Sequence, residues 1–358
     1  MILHLTYQMY LKRLHIRNFR NIADEVIEFS SKINIFIGEN GQGKSNLLEA
    51  IHFLSTGRSF RGALTSELIA HGENYFSLEA VIERDGFNEY LSVYFDESKK
   101  KIVYNDNYFS MFSQLLGILP SVLLAPQDLQ FIIGFPSVRR RFLNIHIAQC
   151  DPLYVYHLTR YIKAMKHRNT LLKEKKLDTI EIFEKQMEVS GNYLIEQRSK
   201  ATESLHQNIS QYYSQMSSKQ DQLEFKYLPS CKTDEFFNLM KKNRKKESIL
   251  KSTLYGPHRD DFQLLLDHKF VKTFASEGQK RTVLSALKFA ELKRINSIYN
   301  NTAILGIDDF GVHLDEMRQS LLFKATKTLN QVMLTSPTLT NSIEGKKFLV
   351  KSGKITAA

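Results

Sequence analysis

Cysteine is scarce in this chain. Cys150 and Cys231 are the only two in 358 residues. They form no Cys-x-x-Cys pair and no Cys/His cluster, so neither a disulfide framework nor a zinc site is supported. Two such thiols suit a reducing compartment. Long hydrophobic runs are missing as well. The most apolar stretch, Leu115–Ala125, is broken by Gly117 and Pro120 and falls well short of the roughly 20 residues that span a bilayer. The first residues have no basic n-region and no signal-like apolar core. Sustained heptads are absent, which excludes long coiled-coil arms. The expectation is a soluble, cytoplasmic protein with no membrane partner.

Composition fills in the rest. Hydrophobic residues make up 42% and charged residues 24%, ordinary for a folded protein, so global disorder is excluded. The length suits two domains, or one domain with a large insertion. Lys plus Arg number 49 against 38 Asp plus Glu, a formal charge of +11. That balance favours an anionic partner such as a nucleotide or nucleic acid.

The first 110 residues or so read as short strands, among them Leu11–Phe19, Ile33–Ile37, Phe76–Glu83 and Tyr90–Phe95, interrupted by a helix over Asn46–Leu54. The middle of the chain changes character. Glycine nearly vanishes, and Ile180, Phe183, Met187, Ser190, Leu194, Ala201 and Leu205 line one face of a long helix. Residues 151–250 hold 18 Lys/Arg against 13 Asp/Glu, a net +5. After Gly256 strand and helix alternate again, with strands at Phe262–Leu266, Ala303–Ile307 and Gln331–Leu334 and helices over 278–297 and from Glu316. This predicts an α/β domain split in sequence, residues 9–112 and 251–358, around a helical insert, residues 113–250. Residues 1–8 read as an extra leader.

Gly38, Glu39, Asn40, Gly41, Gln42, Gly43, Lys44 and Ser45 match G-x-x-x-x-G-K-[ST], with Asn46 opening the helix that follows. An apolar strand leads in and an apolar-periodic helix leads out, the context this loop chemistry requires. Glycines let backbone N–H groups curl around phosphate oxygens, and the helix N-terminus adds partial positive charge. Lys44 would reach the β- and γ-phosphates of ATP, and the Ser45 hydroxyl would ligate Mg²⁺. A carboxylate for that metal is expected at Asp308, which ends the apolar strand Ala303–Ile307. Asp309, one residue on, could orient the attacking water. Ser276, Gly278 and Gln279 precede a helix in the pattern Ser-x-Gly-Gln, which resembles the ABC-type signature. Ser276 caps that helix, and its first amides offer a second anion site.

These motifs lie in one order with Leu14–Asn21, Gly57–Arg61, Ala125–Leu129, Pro136–Leu143, Arg168–Leu172 and Tyr255–Phe262. Together they resemble the RecF family of bacterial recombination-repair ATPases, relatives of SMC heads. The resemblance runs from Tyr10 to about Pro337. It implies a P-loop ABC-type ATPase head with a helical second lobe. It also implies an ATP-dependent homodimer that binds gapped DNA or single-/double-strand junctions and works with RecO and RecR. Slow hydrolysis would release the DNA. By position, Ser276 and Gly278 would cap the partner's γ-phosphate, Gln127 would be the Q-loop residue near the metal, and Asp315 would be the D-loop residue. Asn18 and Arg20 would lie near the nucleotide. The chain departs from the family at His313, where Ser-Glu usually precedes Leu-Asp, and at Pro337 in the threonine-rich turn near Thr335.

DNA contact needs basic groups matched to backbone phosphates. Candidates are Arg139, Arg140, Arg141, Lys163, Lys166 and Arg168, with the run Lys241–Lys246. Arg139–Arg141 could instead anchor the insert through ion pairs. Two other readings fit parts of the pattern. A transporter ATPase subunit predicts Leu-Ser-Gly-Gly-Gln and a membrane partner, whereas this chain has Ala-Ser-Glu-Gly-Gln. An SMC-like structural head predicts the missing coiled-coil arms.

Overall fold

The computed structural model describes residues 9–217, 221–300, 302–310, 326, 329–338 and 344–358. In chain order the first elements are β1 (Met9–Phe19), β2 (Ile22–Glu28), β3 (Ile33–Ile37), α1 (Lys44–Thr56), β4 (Tyr75–Arg84), β5 (Phe87–Asp96), β6 (Lys100–Tyr104), β7 (Asn107–Phe109) and β8 (Ser121–Leu124). A mostly helical stretch follows: α2 (Gln130–Ile133), α3 (Pro136–Cys150), α4 (Pro152–Glu174), α5 (Ile180–Met216), β9 (Leu223–Leu228) and α6 (Phe236–Leu250). The rest is β10 (Asp261–Leu266), β11 (Lys269–Phe270), α7 (Val271–Phe274), α8 (Glu277–Ile298), β12 (Ile304–Ile307), β13 (Gln331–Ser336), β14 (Lys346–Lys351) and β15 (Lys354–Ala357). The helix expected from Glu316 and the leader expected over residues 1–8 lie outside the described residues.

The chain divides into two compact units. The first comprises Met1–Asp128, Tyr212–Lys219 and Leu284–Ala358, and the second comprises Leu129–Gln211 and Gln220–Val283. The sequence breaks near 112 and 250 differ from this division for two reasons of strand pairing. β8 joins the first unit's parallel sheet beside β12, which carries residues 113–128 with it. β10 pairs with β9, which keeps residues 251–283 in the second unit.

Two six-stranded sheets build the first unit. One has the order β2-β1-β4-β5-β6-β7, and the other β15-β14-β3-β13-β12-β8. The first is antiparallel throughout. Its strands alternate apolar-in and polar-out, as a half-solvated sheet requires. In the second, β14, β3, β13, β12 and β8 run parallel, and β15 turns back antiparallel on β14. The strands β12 and β13 are buried at every position, which is why they read as continuous apolar runs rather than alternating ones. Leu47, Leu48, Ile51, Phe53 and Leu54 of α1 are buried in the same core as Leu14, Phe36, Phe76 and Met333. Each such side chain contributes about 1.5–3 kcal/mol.

The second unit packs its helices on stripes of the expected spacing. Along α5, Ile180, Met187, Ser190, Leu194, Ala201 and Leu205 are all at 0% exposure, and the stripe continues through Ile209. Two charged residues, Glu184 and Arg198, are buried on α5 as well. Asp151 caps α4 by accepting the Leu153 N–H, with Pro152 in the first turn. The small sheet β11-β10-β9 completes this unit.

Candidate functional site

The loop between β3 and α1 curls on glycine. Gly43 sits at φ 115, a conformation side chains rarely adopt. A Cβ there would also lie 2.7 Å from the Asn21 Oδ1. Lys44 stands at the start of α1 with 4% of its surface exposed. Its ammonium donates to the Gly38 carbonyl at 2.6 Å and the Glu39 carbonyl at 2.8 Å. Burial pulls the Lys44 pKa below the ordinary lysine value, and the charges of Asp309 and Asp308 oppose that pull.

Asp308 lies just past β12, and the parallel register sets β13 between β12 and β3. The Ser45 hydroxyl donates to Asp308 Oδ1 at 2.7 Å across 263 residues of sequence. Thr335, on β13, donates to the same oxygen at 2.9 Å and accepts the Asp309 N–H at 2.7 Å. Burial raises the Asp308 pKa, the two hydroxyl bonds lower it, and the neighbouring Asp309 raises it further. Asp309 holds a left-handed backbone, φ 55, and its charge acts on both Asp308 and Lys44. A hydroxyl and a carboxylate already in contact make a donor set that suits a hard divalent cation, with phosphate and water as its other ligands. Glu39, Asn40 and Gly41 form the exposed crest of the loop.

Other expected residues take more varied positions. Arg20 forms a bidentate pair with the fully buried Glu49 of α1 at 2.9 and 3.2 Å, and also donates to the Glu67 carbonyl. Asn18 donates to Glu73 at 3.1 Å. Asn46 donates to Asn21 and accepts from Arg61. The Gln42 carbonyl accepts from Asn21, and its side chain accepts the Ser352 N–H. Gln127 is exposed in the 3-10 turn after β8, and among the described residues no hydrogen bond joins it to Ser45 or Asp308. Asp315 and His313 lie outside the described residues.

The signature segment belongs to the second unit. Ser276 and Gln279 form a capping box: the Gln279 side chain accepts the Ser276 N–H at 2.9 Å, and the Ser276 hydroxyl accepts the Gln279 N–H at 3.2 Å. Ser276 is exposed, and Gly278 lies within the first turn of α8.

Among the basic candidates, the structure separates two groups. Lys163 and Lys166 are exposed on α4, and Arg141 is exposed on α3. Arg139 makes a bidentate pair with Asp261 at 2.7 and 2.9 Å, and Arg140 donates to the Asp260 carbonyl at 2.7 Å. Arg139 is thus held by an ion pair, and Arg140 by a backbone carbonyl, within the second unit. Arg168 is a correction. It is fully buried and paired with Glu184 at 3.0 Å and Glu247 at 2.6 Å. No external phosphate can reach it without breaking that cluster.

Sequence reasoning missed four residues that hold this site together: Asn21, Glu49, Arg61 and Thr335. The only signal for the first three was their place beside the P-loop in the Leu14–Asn21, Gly38–Ala50 and Gly57–Arg61 motifs. Thr335 was legible only as part of a threonine-rich turn, because its bond to Asp308 depends on the strand register.

The chain is similar to several known proteins. The AAA domain family matches residues 13–306. A DNA replication and repair protein RecF from Protochlamydia amoebophila is 39% identical over 337 residues, covering 92% of this chain and 94% of that protein. Its namesake from Clostridium novyi is 33% identical, covering 97% of this chain and 98% of that protein. A solved structure of the recombination mediator protein RecF with ATP matches at TM-score 0.93 and 30% identity, covering 100% of both chains. An Smc head domain from Pyrococcus furiosus matches at TM-score 0.58 and 17% identity, covering 98% of this chain and 96% of that one, a likeness of fold alone. The fold is α/β, that of a P-loop ABC-type ATPase head with an inserted, mostly helical lobe.

Proposed function

The chain belongs to the RecF family of DNA replication and repair proteins, and from that premise we propose that it is an ATP-driven DNA clamp of recombinational repair. The observation that carries the nucleotide chemistry is the 2.7 Å bond between Ser45 and Asp308. It joins the phosphate loop to the strand-end carboxylate that such hydrolysis needs.

In this reading the loop amides and Lys44 cradle the ATP phosphates, and Lys44 exchanges its two carbonyl partners for phosphate oxygens. Ser45 and Asp308, with Gln127, would hold Mg²⁺, which would supply positive charge to neutralise the phosphates. Asp309 orients the attacking water, and Thr335 fixes both aspartates through its hydroxyl. Arg20 steadies α1 from below the loop through Glu49. Ser276, Gly278 and Gln279, with Asp315, complete the site on a second copy of the chain, so hydrolysis opens the dimer. Two domains follow, an ATPase lobe and a helical lobe.

DNA binds through its backbone, preferentially at gaps or single-/double-strand junctions, with the exposed Lys163, Lys166 and Arg141 as the basic contacts. RecO and RecR are the proposed protein partners, and the cytoplasm is the proposed compartment. Among the described residues no helix is long and apolar enough to cross a membrane. The deciding experiment is a titration of gapped against fully duplex DNA, with and without ATP, at several salt concentrations. ATP should tighten binding to the gapped substrate. Identical curves with and without ATP would overturn the clamp.

A further inference from the structure

A groove of about 800 Å³ lies within the helical unit, between α5 and the segment from β9 to Asp234. Its helix wall is the stripe Ile195, Ser199, Thr202 and His206, and its other wall is the edge strand β9. Two features of these walls are left unsatisfied by the fold.

The first is the strand edge. Among the described residues β9 pairs on one side only, with β10. The Phe225 N–H points the other way, to His206 Nδ1 at 3.3 Å, and the Leu223 carbonyl likewise accepts the Ser210 hydroxyl. Alternation along a strand then turns the N–H and C=O of Tyr227 outward too. Around residue 225 the helix side chains cover the edge. Toward Pro229 and Asp234 the groove opens beside it.

The second is Thr202. It is 3% exposed, and among the described residues its hydroxyl has no hydrogen-bond partner. A helical threonine ordinarily returns its hydroxyl to a carbonyl one turn back, and this one does not. His206 adds a fixed donor. Because Nδ1 accepts from Phe225, the neutral ring carries its proton on Nε2.

We propose that this groove docks an extended segment of a partner protein, which adds as a short strand to the free edge of β9. An edge strand demands a donor and an acceptor in alternation, and another backbone supplies both. The segment's remaining carbonyls then meet the donors of Thr202 and His206 on the facing helix. Tyr227 is well placed to hold the edge rigid. Its hydroxyl binds Asp260 and its ring stacks on Phe262 at 5.1 Å, so the strand is braced from its other side.

The test is a display selection of random twelve-residue peptides on the full-length protein, with the Ser199→Trp variant as counter-selection. Ser199 is exposed, so the indole fills the groove mouth without entering the core, and a thermal melt checks the fold. The expected peptide binds the wild-type chain, loses at least tenfold on Ser199→Trp and severalfold on Thr202→Val, and slows hydrogen exchange of the Tyr227 amide. ATP binding stays unchanged in both variants. The proposal fails if no peptide survives counter-selection. It also fails if the bound peptide leaves the Tyr227 amide exchanging at its free rate, a readout that depends on no variant.

Discussion

Lys44 concentrates the chemistry of the phosphate loop in one ammonium group, and two loop carbonyls already hold it in place. Lys44→Ala should leave the fold intact, because α1 is anchored by its apolar face, and should weaken ATP binding by about a hundredfold or more, since charged hydrogen bonds contribute about 1.5–3 kcal/mol each. Equilibrium nucleotide titration measures this. Arg168 tests the opposite kind of residue. Arg168→Ala leaves Glu247 buried without its guanidinium and Glu184 with Arg244 alone, and should cost about 3–5 kcal/mol in urea unfolding. His258 gives a pH dependence. Its ring accepts the Tyr161 hydroxyl and donates to the Thr253 carbonyl, and burial lowers its pKa from 6.5 to about 4. Between those values the unfolded chain binds a proton that the folded chain refuses, so stability falls as the pH drops through that window. The loss is about 3 kcal/mol. Urea unfolding at pH 7 and at pH 4 should show it, and His258→Gln should remove most of the difference.

At the scale of elements, α8 begins on a reciprocal cap between Ser276 and Gln279. Ser276→Ala should cost about 1 kcal/mol of stability. Ser276→Arg goes further, because in the proposed dimer this exposed position meets a second copy's nucleotide. It should abolish ATP-dependent dimers in sedimentation while ATP still binds each monomer. Loss of ATP binding itself would place the signature in its own chain's site. The strand elements carry a different lesson. β12 and β13 are legible as apolar runs, yet nothing in either run says that Thr335 faces Asp308. That follows from the parallel register pairing Ile307 with Leu334, which brings the two strand ends level.

For the whole molecule, the charge of +11 divides unevenly between pairing and exposure. Arg139, Arg168 and Arg198 form ion pairs inside the helical unit with Asp261, Glu184, Glu247 and Asp260. Lys163 and Lys166 remain exposed. Replacing both by glutamine should lower the slope of log affinity against log salt by roughly 1 per residue, with stability unchanged within about 0.5 kcal/mol. The sequence by itself determined two local structures. Gly38–Ser45 and the Ser276 cap are local, each fixed by backbone conformation and hydrogen bonds within a few residues. Periodicity likewise determined α5 and the buried strands, since a stripe or an apolar run needs no partner to be recognised. Tertiary structure alone decided which basic residues are free, because Arg168 and Lys166 look alike until Glu184 and Glu247 are brought around one of them. It also decided where the units divide, because the pairing of β8 with β12 and of β10 with β9 joins segments that are far apart in the chain.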